Sequence, residues 1–233
     1  MVAPLVALLA AVAVAVSGCS GSGSSPAATS TTPPNVTPTL ATTASTPAVD
    51  PAAARALAAA ARVMRTVHSY RFDVTERVVA ASTQRSRLIG SVVRGEGLSY
   101  LLTVGGKRTQ VVRLRRATYV RAVPHKWSKL RRSRRLLNPT ATLLRILHAL
   151  RPEQLLRSGQ GAVVHGQLAA TAARLAGLPA SNPALVTVTI DKRGRVVRLV
   201  IHSATQSGGQ GVDVQLVSDY SGFDSVRPIR KPV

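Results

Sequence analysis

Cysteine is almost absent from this chain: Cys19 is the only one in 233 residues. No disulfide can form within the protein, so the fold must be held by apolar burial alone. Aromatic residues are scarce as well, with one Trp, four Tyr and two Phe. Burial therefore falls to Leu, Val, Ile and Ala, and there are too few rings to build a stacking platform for nucleic-acid bases. Acids are the third scarcity: nine Asp and Glu stand against 31 Lys and Arg, for a formal charge of +22. Catalytic signatures are missing too. His68, His125, His148, His165 and His202 lie in separate segments without ligand spacing, and no second cysteine is left for zinc. There is no Gly-x-Ser-x-Gly elbow and no phosphate loop; Gly105-Gly106-Lys107 lacks the upstream glycine. These absences point away from an enzyme and from any resident metal or cofactor. One carboxylate is out of pattern: Glu76 falls on the apolar side of its segment. An edge position or an arginine partner suits it better than the role of a base.

What the chain does have begins at its start. Leu5 to Val16 is an uncharged apolar run that leads into Val16-Ser17-Gly18-Cys19. A spanning helix needs about 20 residues, so the run is too short for one. A short apolar stretch ending in small residues reads instead as an export signal. Ending it on cysteine gives the pattern of a bacterial lipobox. Residues 1–18 are then the signal peptide, and Cys19 becomes the acylated N-terminus. The protein would be held at the outer face of the cell membrane. Met1-Val2-Ala3-Pro4 carries no Lys or Arg, which points to a start codon further upstream.

Residues 19–50 follow as a linker. Ser20 to Val49 is mostly Ser, Thr, Pro, Ala and Gly, with no charge and almost no large apolar group. It cannot bury enough surface to offset its chain entropy and is expected to be disordered. Such a coil reaches about 30 Å, a spacer between a surface and a domain. Residues 51–233 are the size of one domain with its own core.

Within that domain Asp50-Pro51 caps a helix whose stripe is Leu57, Ala60, Ala61, Met64, Val67 and His68. The period changes at Ser69. Tyr70, Phe72, Val74, Glu76 and Val78 alternate with polar residues, which is a half-buried strand. Arg85–Val93, Leu98–Val104, Thr109–Leu114 and Thr118–Val123 read as further strands, with Gly105-Gly106 as a hairpin turn. Asn138-Pro139 repeats the helix-start signal before Leu143, Leu144, Leu147 and Leu150, and Pro152 is expected to end that helix. Leu155 and Leu156 suggest a short extra turn. Ala162–His165 reads as a strand and Ala169–Leu175 as a helix stopped by Gly177. Val186–Ile190 and Arg195–Ile201 form a hairpin around Asp191-Lys192-Arg193-Gly194, and Val212–Val217 is the last strand. The order predicts an α+β domain with helices on one face of an antiparallel sheet.

The lipobox, Val67-His68-Ser69-Tyr70, Tyr119-Val120-Arg121 before Trp127, and Val163-Val164-His165-Gly166 together resemble the LppX/LprG-type envelope lipoproteins of actinobacteria. More distantly they resemble the LolA-like carriers. The C-terminal run is similar too: Val186 to Asp191, Gly194, the strand to Ile201, and Leu216-Val217-Ser218-Asp219-Tyr220 before Arg230-Lys231-Pro232. The resemblance implies a curved antiparallel half-barrel sheet with helices covering its concave face. It also implies that the space between them takes the acyl chains of a lipid or glycolipid. The apolar faces offer Phe72, Val74, Leu88, Tyr100, Leu102, Val112, Leu143, Leu147, Val188 and Leu199 as lining. The same pattern suits a filled core, so both readings stay open.

Residues 97–152 contain no acid and fourteen Lys and Arg. The densest run is Lys126, Lys129, Arg131, Arg132, Arg134 and Arg135, a candidate surface for anionic phospholipid headgroups or envelope polymers. Arg outnumbers Lys 26 to 5, which a GC-rich coding sequence also produces. Nucleic acid, the usual partner of so basic a chain, is not expected outside the membrane. Two functions follow from different classes. One is a lipid-binding lipoprotein that carries or presents acylated lipids. The other is a tethered, non-enzymatic interaction protein whose basic face binds anionic cell-wall polymers or a protein partner. In either case Cys19→Ala is expected to release the protein from the membrane. Detergent partitioning checks this: a variant that still follows the membrane phase means that Cys19 is not the anchor.

Overall fold

The protein was analysed as a computed structural model, which describes residues 48–130, 138–175, 177–178, 180, 182–207 and 210–233. Cys19 and the signal and linker segments lie outside the described residues, apart from the last few before residue 51.

Helix α1, Pro51–Thr66, starts where Asp50 accepts a hydrogen bond from the Ala52 amide at 2.8 Å, with proline in the first turn. Its buried stripe is Ala53, Leu57, Ala60, Ala61 and Met64. Six strands follow: β1 Ser69–Val79, β2 Thr83–Val93, β3 Gly97–Val104, β4 Lys107–Leu114, β5 Thr118–Ala122 and β6 Ser128–Leu130. Each pairs antiparallel with the one before it, because their turns are too short for a crossover. Gly105 and Gly106 both take positive φ, as the tight β3–β4 turn requires.

Helix α2, Pro139–Ala149, opens with the Asn138 side chain accepting from the Ala141 amide at 3.1 Å. The C-terminal part comprises β7 Leu150–Ser158, β8 Gly161–Leu168, helix α3 Ala170–Leu175, β9 Ala184–Asp191, β10 Val196–Ser207 and β11 Gln210–Ser221. Two expectations change here. Pro152 does not end a helix, and Leu155 and Leu156 form no extra turn. The helix stops at Ala149, and all three residues lie in β7. The apolar run could not settle the matter, since a short stretch of this kind fits either element. Proline is tolerated because β7 is an edge strand and has a bulge between Pro152 and Gln154. The three-residue β6 was too short to show a period.

The strands make one unclosed sheet in the order β6-β5-β4-β3-β2-β1-β11-β10-β9-β8-β7. The first meander runs outward from the centre to β6. The chain then resumes at the opposite edge, and the second meander runs inward from β7 until β11 pairs with β1. Helix α1 packs against α2, β7 and β8, and α2 touches α3. The result is the expected curved half-barrel with helices over its concave face. Beyond β11 the tail is fastened back: Asp224 accepts from the amides of His68, at 2.7 Å, and Ser69, and Val226 N donates to Ser69 Oγ.

Gly90 marks a tight point on the helix-covered face. A Cβ there would lie 2.6 Å from Phe72 Cζ and 2.7 Å from Tyr100 Cβ. It would also lie 2.3 Å from the Ser99 carbonyl oxygen, so backbone as well as rings would have to shift. Gly90→Ala is expected to cost about 1–3 kcal/mol in urea unfolding through this overpacking.

Candidate functional site: the concave face of the sheet

Residues directly opposite in neighbouring strands share a face. The register puts Leu102, Leu88, Val74, Ser218, Leu199, Val188 and Val164 in one row across seven strands. The adjoining row holds Val111, Tyr100, Gly90, Phe72 and Tyr220. Helix α2 closes on this face, because Tyr70 from β1 is hydrogen-bonded to Thr140 at 2.8 Å. Burial pushes the Tyr70 phenol up to about 12, so it stays neutral.

Of the ten lining candidates, seven are buried in one continuous cluster: Phe72, Leu88, Tyr100, Leu143, Leu147, Val188 and Leu199. None keeps more than 8 % of its surface. A side chain facing an empty acyl-sized space would retain more, so these residues touch protein atoms on all sides. Val74 and Leu102 are only partly buried. Val112 was misplaced: it lies opposite Ser99 and Tyr119, on the outer face. Alternation has a period of two, and the run Val111-Val112 offered either phase; Val111 takes the inner one and is fully buried.

The concave face thus has two zones. Around Phe72, Leu143 and Leu147 it is packed. Val74, Val78, Leu102, Val120 and Leu216 border that core and remain half-buried. Glu76 stands among the second group, 7 % exposed on the central strand β1. It is neither at an edge nor in any of the ion pairs of the described residues. Instead Ser86 Oγ donates to its Oε2 at 2.9 Å. Ser203 and Ser218 are buried on the same face. Burial raises the Glu76 carboxyl above its ordinary value, and the Ser86 bond offsets part of the rise.

The basic run is only partly described. Arg131, Arg132, Arg134 and Arg135 lie outside the described residues. Lys126 and Lys129 are exposed, and Lys129 pairs opposite Tyr119 on the outer face, away from the concave side. Nearby, Arg121 lies over the Trp127 ring at 4.7 Å. No three His, Cys, Asp or Glu side chains form a metal cluster among the described residues.

Open half-barrel sheets with helices on the concave side define a recognised class of fold, and this chain has it. Among solved structures it is similar to LprF from Mycobacterium bovis, with a TM-score of 0.52 and 13 % identity over 79 % of this chain and 99 % of that one. The Mycobacterium tuberculosis lipoprotein LppX aligns with a TM-score of 0.47 and 14 % identity, over 78 % of this chain and 100 % of that one. No protein-family model and no curated protein matches the sequence.

Glu76 has a consequence for pH. A carboxyl whose folded value is raised holds its proton more tightly when folded, so stability falls as pH rises from the ordinary carboxylate range through the raised value. Above that value the cost of the buried charge is fully present. Glu76→Gln keeps an oxygen that accepts the Ser86 bond and removes the charge. It is expected to unfold at higher urea than the parent at pH 7, with the difference shrinking below the ordinary carboxylate range.

Proposed function

We propose that this chain is a membrane-anchored envelope lipoprotein that binds acylated lipids or glycolipids against its concave sheet face and carries or presents them. In this reading residues 1–18 are removed on export and Cys19 is acylated. Residues 19–50 are the tether, and 51–233 are the binding domain, outside the cell membrane. One observation carries it: a curved, unclosed sheet leaves Val74, Val78, Leu102, Val120 and Leu216 half-buried on its helix-covered side. The fold shared with LprF supports it. Each methylene removed from water is worth about 0.8 kcal/mol, so acyl chains laid against these side chains need no catalytic group to be held. Among the described residues no helix is long and apolar enough to cross a membrane; the pattern Val16-Ser17-Gly18-Cys19 is what supports attachment through Cys19.

The tethered interaction protein is favoured by a different observation, the close burial of Phe72, Leu143, Leu147, Val188 and Leu199. Native mass spectrometry of the chain without residues 1–25 separates the two. Co-purifying lipid adducts support the carrier; a bare mass after expression in a lipid-rich envelope supports the solid-core protein. Leu102→Trp is expected to lower lipid occupancy with little change in melting temperature, because an indole at a half-buried site takes ligand volume without overpacking the core.

A further inference from the structure

Where β1 begins, a crevice of about 540 Å³ opens between the β2–β3 turn, the end of β4 and the start of α2. Its lining includes Val67, Tyr70, Val92 and Leu98. Three arginines line it: Arg94, Arg113 and Arg115. Arg94 follows the last residue of β2 and is held by its amide to the His68 carbonyl at 2.8 Å. Arg113 sits opposite Leu98 and Thr118, so it belongs to the helix-covered face. Arg115 follows β4, and its Nε donates to the Gly95 carbonyl across the two turns.

Three arginines face one acid in this lining, a formal surplus of +2. Among the described residues none is in an ion pair. The one acid in the lining, Glu96, accepts a bond from the Ile229 amide at 3.2 Å. Arg94 and Arg113 lie near enough to Tyr70 and Tyr100 to favour the phenolates, yet burial holds both phenols at about 12 and therefore neutral. Guanidinium groups at one mouth repel one another unless an anion stands among them, and their planar forks match phosphate oxygens.

We propose that this crevice binds a phosphate group, with Arg94, Arg113 and Arg115 around its oxygens. It is the headgroup seat of the acylated ligand, an assignment that rests on the lipid-binding reading above. The apolar lining would take the first carbons after the phosphate, and the chains would reach Val74 and Val78 by displacing the packed side chains around Phe72. The acid-free stretch hinted at Arg113 and Arg115 but not at Arg94. Only the sheet register brings the two turns together.

The test uses the full chain in detergent with Arg94→Gln/Arg113→Gln, and Arg77→Gln/Arg85→Gln as the control. The control removes the same charge from the opposite face, where Arg77 pairs across from Arg85. Binding is measured for phosphatidylglycerol and for diacylglycerol with the same chains. The parent and the control are expected to prefer the phospholipid by about tenfold or more, from one or two charge-assisted hydrogen bonds. The crevice variant should lose that preference and keep its diacylglycerol affinity and circular dichroism. A retained preference in the crevice variant, or an equal loss in the control, overturns the site. If the parent binds neither lipid, the arginine Nε–H resonances are followed under inorganic phosphate. Shifts absent from the crevice variant uphold the anion site with free phosphate as its source and remove the lipid reading; no shifts in the parent remove both.

Discussion

Pairing of β1 with β11 is the contact on which the rest depends. It joins residues some 150 positions apart, Arg71 opposite Ser221 and Phe72 opposite Tyr220. Every other strand pair joins strands consecutive in sequence, with only α3 intervening between β8 and β9. Without the central seam the chain would be two separate meanders. Closing so long a loop costs entropy before any contact rewards it, so the seam must be strong. The few aromatics are gathered there. Tyr70 meets Tyr220 edge-on with ring centres 5.9 Å apart, and Phe72 and Phe223 lie 6.4 Å from the same ring. Four of the seven aromatic side chains thus serve one junction, which is how an aromatic-poor sequence secures its longest-range contact.

The seam also orders the functional face. Because β1 and β11 are central, the packed zone under α2 and the half-buried zone around Glu76 are two stretches of the same strands. The path from the arginine-lined crevice, beside Tyr70, toward Val74 and Val78 crosses the packed Phe72. Polar groups on that path are few and satisfied locally: Tyr70 by Thr140, Glu76 by Ser86. The stretch is therefore apolar along its length, with the arginines at one end.

Much of this could be read in the residues before any coordinates. Both cap-plus-proline pairs, Asp50-Pro51 and Asn138-Pro139, start helices as read, because the signal is local and chemical. Alternation located β1 through β5 and the final hairpin for the same reason. What escaped was everything decided by partners. Glu76 looked like an edge residue because nothing local says that β1 is central. Leu155 and Leu156 carry no period of their own and became strand only because β8 lies beside them. Val112 was given the wrong face, since two adjacent valines leave the phase open. The crevice arginines come from turns about twenty residues apart that meet only when β2, β3 and β4 are in register.

An unclosed sheet has two borders, which among the described residues are β6 and β7. The first is described over Ser128–Leu130, up to where the described residues stop. The other is β7, where Pro152 withholds a donor, a bulge breaks the ladder, and Arg151 and Arg157 are exposed beside it. A second copy of this protein therefore meets, at β7, a border with little backbone free to pair and a charged rim beside it.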